Sequence, residues 1–292
     1  MKKDIIIIAE GGCMLGIFGA GVLTAFQQAN IYPRVHSIYS SSAGAHNAAY
    51  FLSKQTKLGS SIYYENLIGN KFIKRGKIAK HIFDVLFHKF NNDAEISGII
   101  DIDYLTTIET KQKKLNVKKL ISQNIPFYIN LFNVETFKSC YIDGRKLTLR
   151  TLKASAAAAP YYTKVANIKG KFYIDGGIFD TSGFLGIIKK NINKNVVYII
   201  NRRKNFIKEL IYLPVALTES LLLSTLYGKN VAKKYLSSTF RYPKLKELNS
   251  FDNVHLVINK KHYSKICTNK EKLMELYFHG IEKGNELINK LK

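Results

Sequence analysis

Short apolar runs and helical stripes alternate along the first part of the chain. Ile5 to Ala9 is a continuous apolar run that stops at Glu10 and glycine, which is typical of a strand buried on both faces of a parallel sheet. The next segment carries apolar residues at intervals of four, which predicts one helical face: Phe18, Val22 and Phe26. Val35 to Tyr39 predicts a second strand, and a helix through Leu52 follows it. The order predicts a strand–helix–strand unit with small-residue turns at both strand ends.

The same alternation continues to about residue 200. Three more short apolar runs predict strands, at 127–134, 171–175 and 196–201. Two segments between them have helical periodicity: 71–89, which is basic and amphipathic, and 148–159. Strands that alternate with helices favour a layered α/β domain. We therefore predict an α/β core over residues 1–200.

The pattern after Asn201 is helical and more basic. One strand is predicted at 254–258, and the last segment, 270–292, predicts a helix. No internal repeat and no linker rich in Pro, Gly or Ser separates this part from the rest. We therefore predict that residues 201–292 form a basic, mostly helical extension that packs on the same core.

Charge narrows the class of partner. The 292 residues hold 45 Lys and Arg against 21 Asp and Glu, a formal net charge of +24. Unpaired charge is too costly to bury, so the surface must be basic and an anionic partner is expected: nucleic acid, an anionic membrane or an acidic protein. No nucleic-acid recognition motif is present, which disfavours the first. Basic residues concentrate at 71–80, 111–119 and 181–208.

Cysteines and apolar stretches indicate the compartment. The three cysteines lack the paired spacing of a disulfide framework or a metal site, which predicts free thiols in a reducing compartment: Cys13, Cys140 and Cys267. The apolar run after Lys3 is too short for a signal peptide. The longest apolar stretch, 210–227, is interrupted by Pro214 and Glu219 and falls short of a spanning helix. We expect a cytoplasmic protein, peripheral at membranes.

The turn from Ser40 to Gly44 lies between a predicted strand and a predicted helix. This is the setting of a nucleophile elbow, in which a serine on a sharp turn exposes its hydroxyl and small neighbours let the backbone pack tightly. Ser42 is the candidate nucleophile. The alternative is a helix N-cap, a position that serine favours.

A glycine-rich turn, Gly11 to Gly16, follows the first strand. Unpaired backbone N–H groups at a helix N-terminus suit either a phosphate or the oxyanion of an acyl-transfer intermediate. The alternatives are a nucleotide loop and a simple tight turn. The spacing of Gly12 and Gly16 does not match G-x-G-x-x-G, and no Walker lysine follows, so nucleotide binding is disfavoured.

Asp175 ends a predicted strand and is followed by Gly176 and Gly177. The two glycines leave its carboxylate open to close approach. A carboxylate within about 2.6 to 3.2 Å of a serine hydroxyl can accept its proton directly, so no histidine is obligatory. The alternative is an ordinary Asp-Gly hairpin turn.

The three motifs together resemble the bacterial patatin-like phospholipases. The resemblance covers about residues 5–200 in order, through Glu10-Gly-Gly-x-x-x-Gly16, Ser42-Ala-Gly-Ala45, the alanine run 154–160 and Tyr173-Ile-Asp-Gly-Gly177. The end of the chain, 276–291, looks like the terminal helix of bacterial members. The resemblance implies a three-layer α/β/α fold with a mainly parallel central sheet. It also implies a Ser-Asp dyad that hydrolyses lipid acyl esters, with no cofactor and no metal.

The resemblance assigns roles by position. Ser42 is the nucleophile and Asp175 the base. The oxyanion hole is formed by backbone amides of the glycine turn, namely Gly11, Gly12 and Cys13. The remaining motif positions are Gly16, Gly44, Gly176 and Gly177.

Three positions depart from the family pattern. Cys13 replaces the third glycine of the loop, Leu15 replaces its basic residue, and Ser40 replaces the first glycine of the elbow. A backbone amide survives a change from glycine to cysteine, so the hole persists unless Cys13 must adopt a positive φ, in which case it is strained or reshaped. Losing one oxyanion donor costs about 3 kcal/mol, roughly a hundredfold or more in rate.

The function predicted from these motifs is a serine acyl hydrolase of the lipase or phospholipase type, acting on fatty-acyl esters of membrane lipids. Its partners would be a phospholipid or other acyl-ester substrate and an anionic membrane surface. The alternative is a weakened or inactive protein of the same fold that binds anionic membrane lipid. His46, four residues after Ser42, is a candidate third catalytic member, but helix geometry points it along the helix side and favours a packed or capping histidine.

Overall fold

A central β-sheet carries helices on both of its faces. The structure is a computed structural model and describes residues 3–87, 98–179, 183–202, 212–239 and 245–291. Three segments singled out in the sequence lie partly outside the described residues: the basic helix 71–89, the basic stretch 181–208 and the apolar stretch 210–227.

Eight strands form one sheet within the described residues. In chain order they are β1 (Ile5–Ala9), β2 (Val35–Ser40), β3 (Phe127–Asn133), β4 (Lys138–Asp143), β5 (Ala166–Ile168), β6 (Lys171–Asp175), β7 (Asn195–Ile200) and β8 (Val254–Ile258). Their order across the sheet is β5-β6-β3-β2-β1-β7-β8, and β4 pairs with β3. The run from β3 to β8 is parallel, whereas β4, β5 and β6 join through antiparallel pairs.

The helices connect and cover these strands. In chain order they are α1 (Gly16–Gln28), α2 (Ala43–Leu52), α3 (Thr56–Ser61), α4 (Ile78–Phe87), α5 (Ile102–Thr107), α6 (Val117–Ser122), α7 (Thr148–Ala156), α8 (Gly183–Lys190), α9 (Leu213–Tyr227), α10 (Lys229–Thr239), α11 (Leu245–Leu248) and α12 (Lys270–Leu291). Among the described residues, no helix combines the length and apolarity needed to cross a bilayer.

The first strand shows how the layers form. Side chains alternate between the two faces of a strand, so Ile5 and Ile7 join the core formed with α1, α2 and α12. Ile6 and Ile8 enter a second core on the opposite face, which contains residues of α8. All four isoleucines are at most 1% exposed. The predicted α/β fold, with a mainly parallel sheet between helical layers, is confirmed.

Some local predictions were wrong. The helix expected over 71–89 begins only at Ile78, because the residues before it are held in extended contacts: Ile73 bridges Ile100, and the Lys74 amide donates to the Ile99 carbonyl at 2.9 Å. The helix expected over 148–159 ends at Ala156. Strands β4 and β5 were not predicted, because most of their residues are exposed or only half-buried and form no apolar run.

The C-terminal part contributes to both the sheet and its cover. β8 pairs with β7 over five residues and forms one edge of the sheet. α12 packs along α1, so it covers the face opposite to α8. The division between a core at 1–200 and an extension at 201–292 stays a prediction.

Close packing of α1 on α12 depends on glycine. A Cβ on Gly280 would lie 2.1 Å from the Phe18 carbonyl oxygen, and one on Gly21 would lie 2.1 Å from that of Tyr277. We therefore expect Gly280→Ala to lower the free energy of unfolding by about 2 kcal/mol, since the helices must separate. Chemical denaturation measures it. Gly186→Ala in α8 is the control, because a Cβ there meets no atom within 4 Å; equal effects of the two substitutions would contradict the prediction.

Candidate active site

Ser42 occupies a strained turn between β2 and α2. Its φ is 50° and its ψ is −133°, outside the regions that a residue with a Cβ prefers. The close approach of α2 to β1 requires Gly44, where a Cβ would lie 2.2 Å from the Ala9 carbonyl oxygen. The Ser42 side chain makes no capping hydrogen bond to α2. The geometry is that of an elbow, and the serine does not act as a helix cap.

Asp175 reaches the elbow from β6. That strand pairs with β3 at Leu131, two residues beyond Ile129, which pairs with Ser40 at the end of β2. The Asp175 amide donates to the Ala157 carbonyl at 3.1 Å, and its carboxylate accepts from the Gly177 amide at 2.8 Å. β6 continues into a short helical turn at Gly176–Ile178, so these residues do not form an Asp-Gly hairpin.

The environment of Asp175 changes its acidity. The residue is 2% exposed, and this burial raises the pKa of its carboxyl to about 6. A side-chain hydrogen bond with Ser42, the Gly177 amide and the charge of His46 oppose the shift by favouring the ionised form. The carboxyl therefore titrates at about pH 6 while it faces the Ser42 hydroxyl.

Glycines bring the three motifs together. A Cβ on Gly11 would lie 2.6 Å from the Ser42 Cβ, and one on Gly177 would lie 3.0 Å from the Ser41 Oγ. The other motif glycines are equally crowded: Gly16 against Ala43 and Tyr63, and Gly176 against Asn130. Larger residues at these positions would push the glycine loop or the Asp175 turn away from the elbow.

The amides of the glycine loop are not equally available. The Gly11 amide donates to the Ser41 Oγ at 3.3 Å, and the Met14 amide donates to the Lys265 carbonyl at 3.1 Å. Within the described part of the chain, no protein acceptor binds the amides of Gly12 and Cys13. Two open donors thus lie in the loop that contacts Ser42.

Cys13 adopts a left-handed backbone conformation, with φ at 51°. This conformation costs a residue with a Cβ about 1 to 2 kcal/mol relative to glycine. Cys13 therefore has the positive φ that the sequence analysis named as the condition for strain at this position. Its backbone amide nevertheless stays open. Burial raises the pKa of the Cys13 thiol to about 11, so the side chain is a neutral thiol beside Ser42.

Asn201 holds the glycine loop and was not singled out in the sequence. It follows β7 and is 1% exposed. Its Nδ2 donates to the carbonyls of Glu10 at 2.7 Å and Gly11 at 3.1 Å, and its Oδ1 accepts from the Gly19 amide at 2.9 Å. The signal that could have identified it is its place at the carboxyl end of a predicted strand.

His46 is engaged away from the elbow. Its Nδ1 lies 2.6 Å from a Glu109 carboxylate oxygen, and its Nε2 lies 3.1 Å from the Leu152 carbonyl. Both partners accept hydrogen bonds, so the protonated ring satisfies both. Burial disfavours that charge, but the charge and hydrogen bond of Glu109 outweigh it and raise the pKa of His46. The packed histidine is the reading that this geometry supports, since neither nitrogen is left for Ser42.

An apolar pocket of about 80 Å³ opens beside Ser42. Most of its wall is apolar, with contributions from Ile62, Leu67, Phe72, Ile100, Ile102 and Leu105. The His46–Glu109 pair and Cys13 also line it. No group of three or more His, Cys, Asp or Glu side chains suited to a metal ion occurs in the described ranges. The space beside the serine is therefore bounded mainly by apolar side chains.

Two known proteins show partial similarity to this chain. The uncharacterized protein YjjU of Escherichia coli (strain K12) is 29% identical over 182 residues, which are 60% of this chain and 46% of that protein. The chain therefore spans less than half the length of this curated relative. The crystal structure of VipD from Legionella pneumophila shares 12% sequence identity and a TM-score of 0.47, covering 99% of this chain and 67% of that one.

The family model of patatin-like phospholipases matches residues 7–187, more than half of the chain. The matched region contains the glycine loop, the Ser42 elbow and Asp175, the same three motifs that suggested the family from the sequence. The chain therefore belongs to the patatin-like phospholipase family.

Proposed function

We propose that this protein hydrolyses fatty-acyl ester bonds of membrane lipids, with Ser42 as nucleophile and Asp175 as general base. One observation carries the proposal. A buried carboxyl with a pKa raised to about 6 faces a serine hydroxyl on a strained elbow, beside two open amides. Each part corresponds to one need of acyl transfer: a nucleophile, a base and an oxyanion hole.

The reaction needs no other group of the protein. Ser42 Oγ attacks the ester carbonyl carbon while its proton passes to Asp175. The amides of Gly12 and Cys13 stabilise the oxyanion that forms on the carbonyl oxygen. The ester C–O bond then breaks, and the leaving alkoxide takes the proton from Asp175. Water attacks the acyl-enzyme, gives a proton to Asp175 and releases the fatty acid, and that proton returns to Ser42 Oγ.

The buried charges around the dyad support the role of Asp175. A base works best when its pKa lies close to the operating pH, and burial places Asp175 there. The His46 cation favours the ionised form of Asp175. His46 is thus an electrostatic neighbour of Asp175, and the charge and hydrogen bond of Glu109 raise the pKa of His46 against the effect of burial.

The pocket and the surface charge support a lipid substrate. An apolar wall beside the nucleophile favours an acyl chain over a polar substituent. The net charge of +24 favours an anionic membrane surface, at about 1 kcal/mol for each well-placed basic residue. We therefore propose membrane phospholipids as the substrate class and a peripheral membrane location for the protein.

A second candidate function is a weakened hydrolase that mainly binds lipid. The strained backbone of Cys13 favours it, because a family glycine position is occupied by a residue that pays for a positive φ. The open amide of Cys13 argues for the active enzyme instead. The two candidates differ in turnover, since a lipid-binding protein holds a vesicle without releasing fatty acid.

The pH dependence of hydrolysis tests the proposed base. Asp175 works only when it is ionised, so kcat/KM for a short-chain ester is expected to rise with pH, with a midpoint at about 6, and to level off above it. Below the midpoint the rate should fall about tenfold for each pH unit. Fatty-acid release from mixed phosphatidylcholine and phosphatidylglycerol vesicles, measured over the same range, should follow the same curve. A rate that does not change between pH 5 and pH 8 would exclude Asp175 as the base, and binding without release would favour the second candidate.

A further inference from the structure

Helix α9 presents a stripe of leucines to solvent. Leu213, Leu217 and Leu221 recur every four residues on one face, and their exposed fractions are 37%, 53% and 55%. The helix contains one charged residue, Glu219, which is buried and bonded to the hydroxyls of Tyr161 and Tyr235. An uncharged helix surface of this kind is unusual on a protein that is otherwise strongly basic.

Helix α4 presents two phenyl rings in the same way. Phe83 and Phe87 are 61% and 48% exposed, and their rings pack on each other with centroids 4.4 Å apart. The opposite side of α4 is buried through His81 and Val85. The two rings therefore lie on the outer side of the helix.

The two helices form one unit beside the pocket. Val85 of α4 and Leu222 of α9 are buried in a small apolar cluster between them. His81 binds the Pro160 carbonyl at 2.9 Å, and the Tyr227 hydroxyl donates to the Thr163 carbonyl at 3.1 Å. Pro160 and Thr163 belong to the loop that follows Ala158, and Ala158 lines the pocket. The exposed apolar residues are thus linked to the wall of the candidate active site.

Basic residues flank the pair of helices. The segment before α4 carries Lys71, Arg75 and Lys77, whereas Lys74 and Lys80 pair with Asp101 and Asp84. Helix α10, which follows α9 after one glycine, begins with exposed lysines: Lys229, Lys233 and Lys234. Apolar side chains flanked by basic residues are complementary to a surface with a hydrocarbon interior and anionic head groups. A bilayer containing anionic lipid has this structure, and basic residues near its surface strengthen binding.

We propose that α4 and α9 dock the protein on an anionic lipid bilayer, with Phe83, Phe87 and the α9 leucines entering the interface. The purpose of this docking rests on the proposed function, because a lipid hydrolase must bring its pocket to the membrane. The docking itself needs no catalysis, so it is testable in a protein that cannot turn over.

The chain lacks tryptophan, so a single introduced tryptophan reports its own surroundings. In a Ser42→Ala background, Leu217→Trp is expected to show a blue-shifted emission on vesicles of phosphatidylcholine with phosphatidylglycerol. The shift should be smaller on phosphatidylcholine alone and should weaken with added salt. Phe278→Trp, on α12 at a site that is 58% exposed, is the matched control and should not shift. Far-UV circular dichroism checks that both variants are folded.

A second variant measures the strength of docking. Replacing Leu217 and Leu221 together with glutamate is expected to lower the vesicle-bound fraction of the Ser42→Ala protein by about tenfold or more, because two apolar contacts are lost and two like charges face the lipid. Two results would overturn the proposal. One is an unshifted emission of Leu217→Trp when the protein is bound to vesicles, and the other is an equal shift in Leu217→Trp and Phe278→Trp. A Leu217→Trp shift that rises with protein concentration without vesicles would overturn it too, in favour of a second copy of the chain on this face.

Discussion

Replacing Ser42 with alanine is expected to lower kcat for ester hydrolysis by about 10⁴-fold or more. The substitution removes the proposed nucleophilic oxygen, and what would remain is the stabilisation that the open amides give to direct attack by water. The loss of one hydroxyl hardly changes the packing around Ser42, so the variant should fold like the wild type. Initial rates on a short-chain ester measure the effect.

Ser40→Ala is the matched control for this experiment. Ser40 belongs to the same elbow and is fully buried, but its hydroxyl donates to the Tyr128 carbonyl at 3.3 Å. The control should keep most of the wild-type rate. If Ser42→Ala retained a rate similar to that of Ser40→Ala, the nucleophile would have to be another group.

Asp175→Asn is also expected to lower kcat, by about 10⁴-fold. Asparagine keeps the shape of the side chain and can still accept from the Gly177 amide, but it cannot take the proton of Ser42. The rate that remains should no longer show a midpoint near pH 6. A pH profile of the variant, measured on the same ester as the wild type, tests both expectations.

The same substitution is expected to stabilise the fold at neutral pH. Burial raises the pKa of Asp175 in the folded protein, so its contribution to stability is present below its ordinary pKa and is lost as the pH rises through about 6. At pH 7 the ionised carboxylate costs about 2 to 3 kcal/mol, and the neutral amide should recover part of this.

Asp143→Asn should change stability in the opposite direction, because hydrogen bonds from Arg145 hold the pKa of Asp143 below its usual range. Denaturation at pH 7 and at pH 4.5 compares the two variants. An Asp175→Asn protein that is both active and no more stable than the wild type would remove the case for a buried catalytic carboxylate.

Much of the fold was predictable because its strands are short apolar runs. The side chains of β1 enter apolar cores on both faces of the sheet. A continuous run of isoleucines is typical of a strand that is buried in this way. β4 and β5 lie at the antiparallel end, where half-buried residues give no such signal. The start of α4 depends on the pairing of Ile73 with Ile100, and a local pattern carries no information about so distant a partner.

The candidate site was predictable in its parts, but its assembly was not. Each motif marks the end of a strand or the start of a helix, so Ser42 and Asp175 could be chosen from local pattern and family resemblance. Their meeting depends on register, since Leu131 of β3 pairs with Asp175 just beyond the end of β2. The positive φ of Cys13 is likewise a property of the folded loop. From the sequence we could say only that Cys13 would be strained if its φ were positive.

Two supporting groups lie far from the motifs in sequence. Asn201 reaches the glycine loop across more than 180 positions of the chain, and Glu109 reaches His46 across more than 60. A polar side chain that is buried and fully bonded looks, in one sequence, like any other asparagine or glutamate. Asn201 donates to buried carbonyls of the glycine loop, and Glu109 binds the buried His46 ring. Without these partners, polar groups of the site would be buried without hydrogen bonds.

Labelling by a fluorophosphonate tests directly whether Ser42 is an activated nucleophile, because the reagent forms a covalent bond only with such a group. We expect a single adduct on the intact protein, located by mass spectrometry at Ser42, retained in Ser40→Ala and absent in Ser42→Ala. Labelling should slow sharply in Asp175→Asn. An unlabelled wild-type protein, or an adduct on a different residue, would contradict the claim that Ser42 and Asp175 form the catalytic dyad.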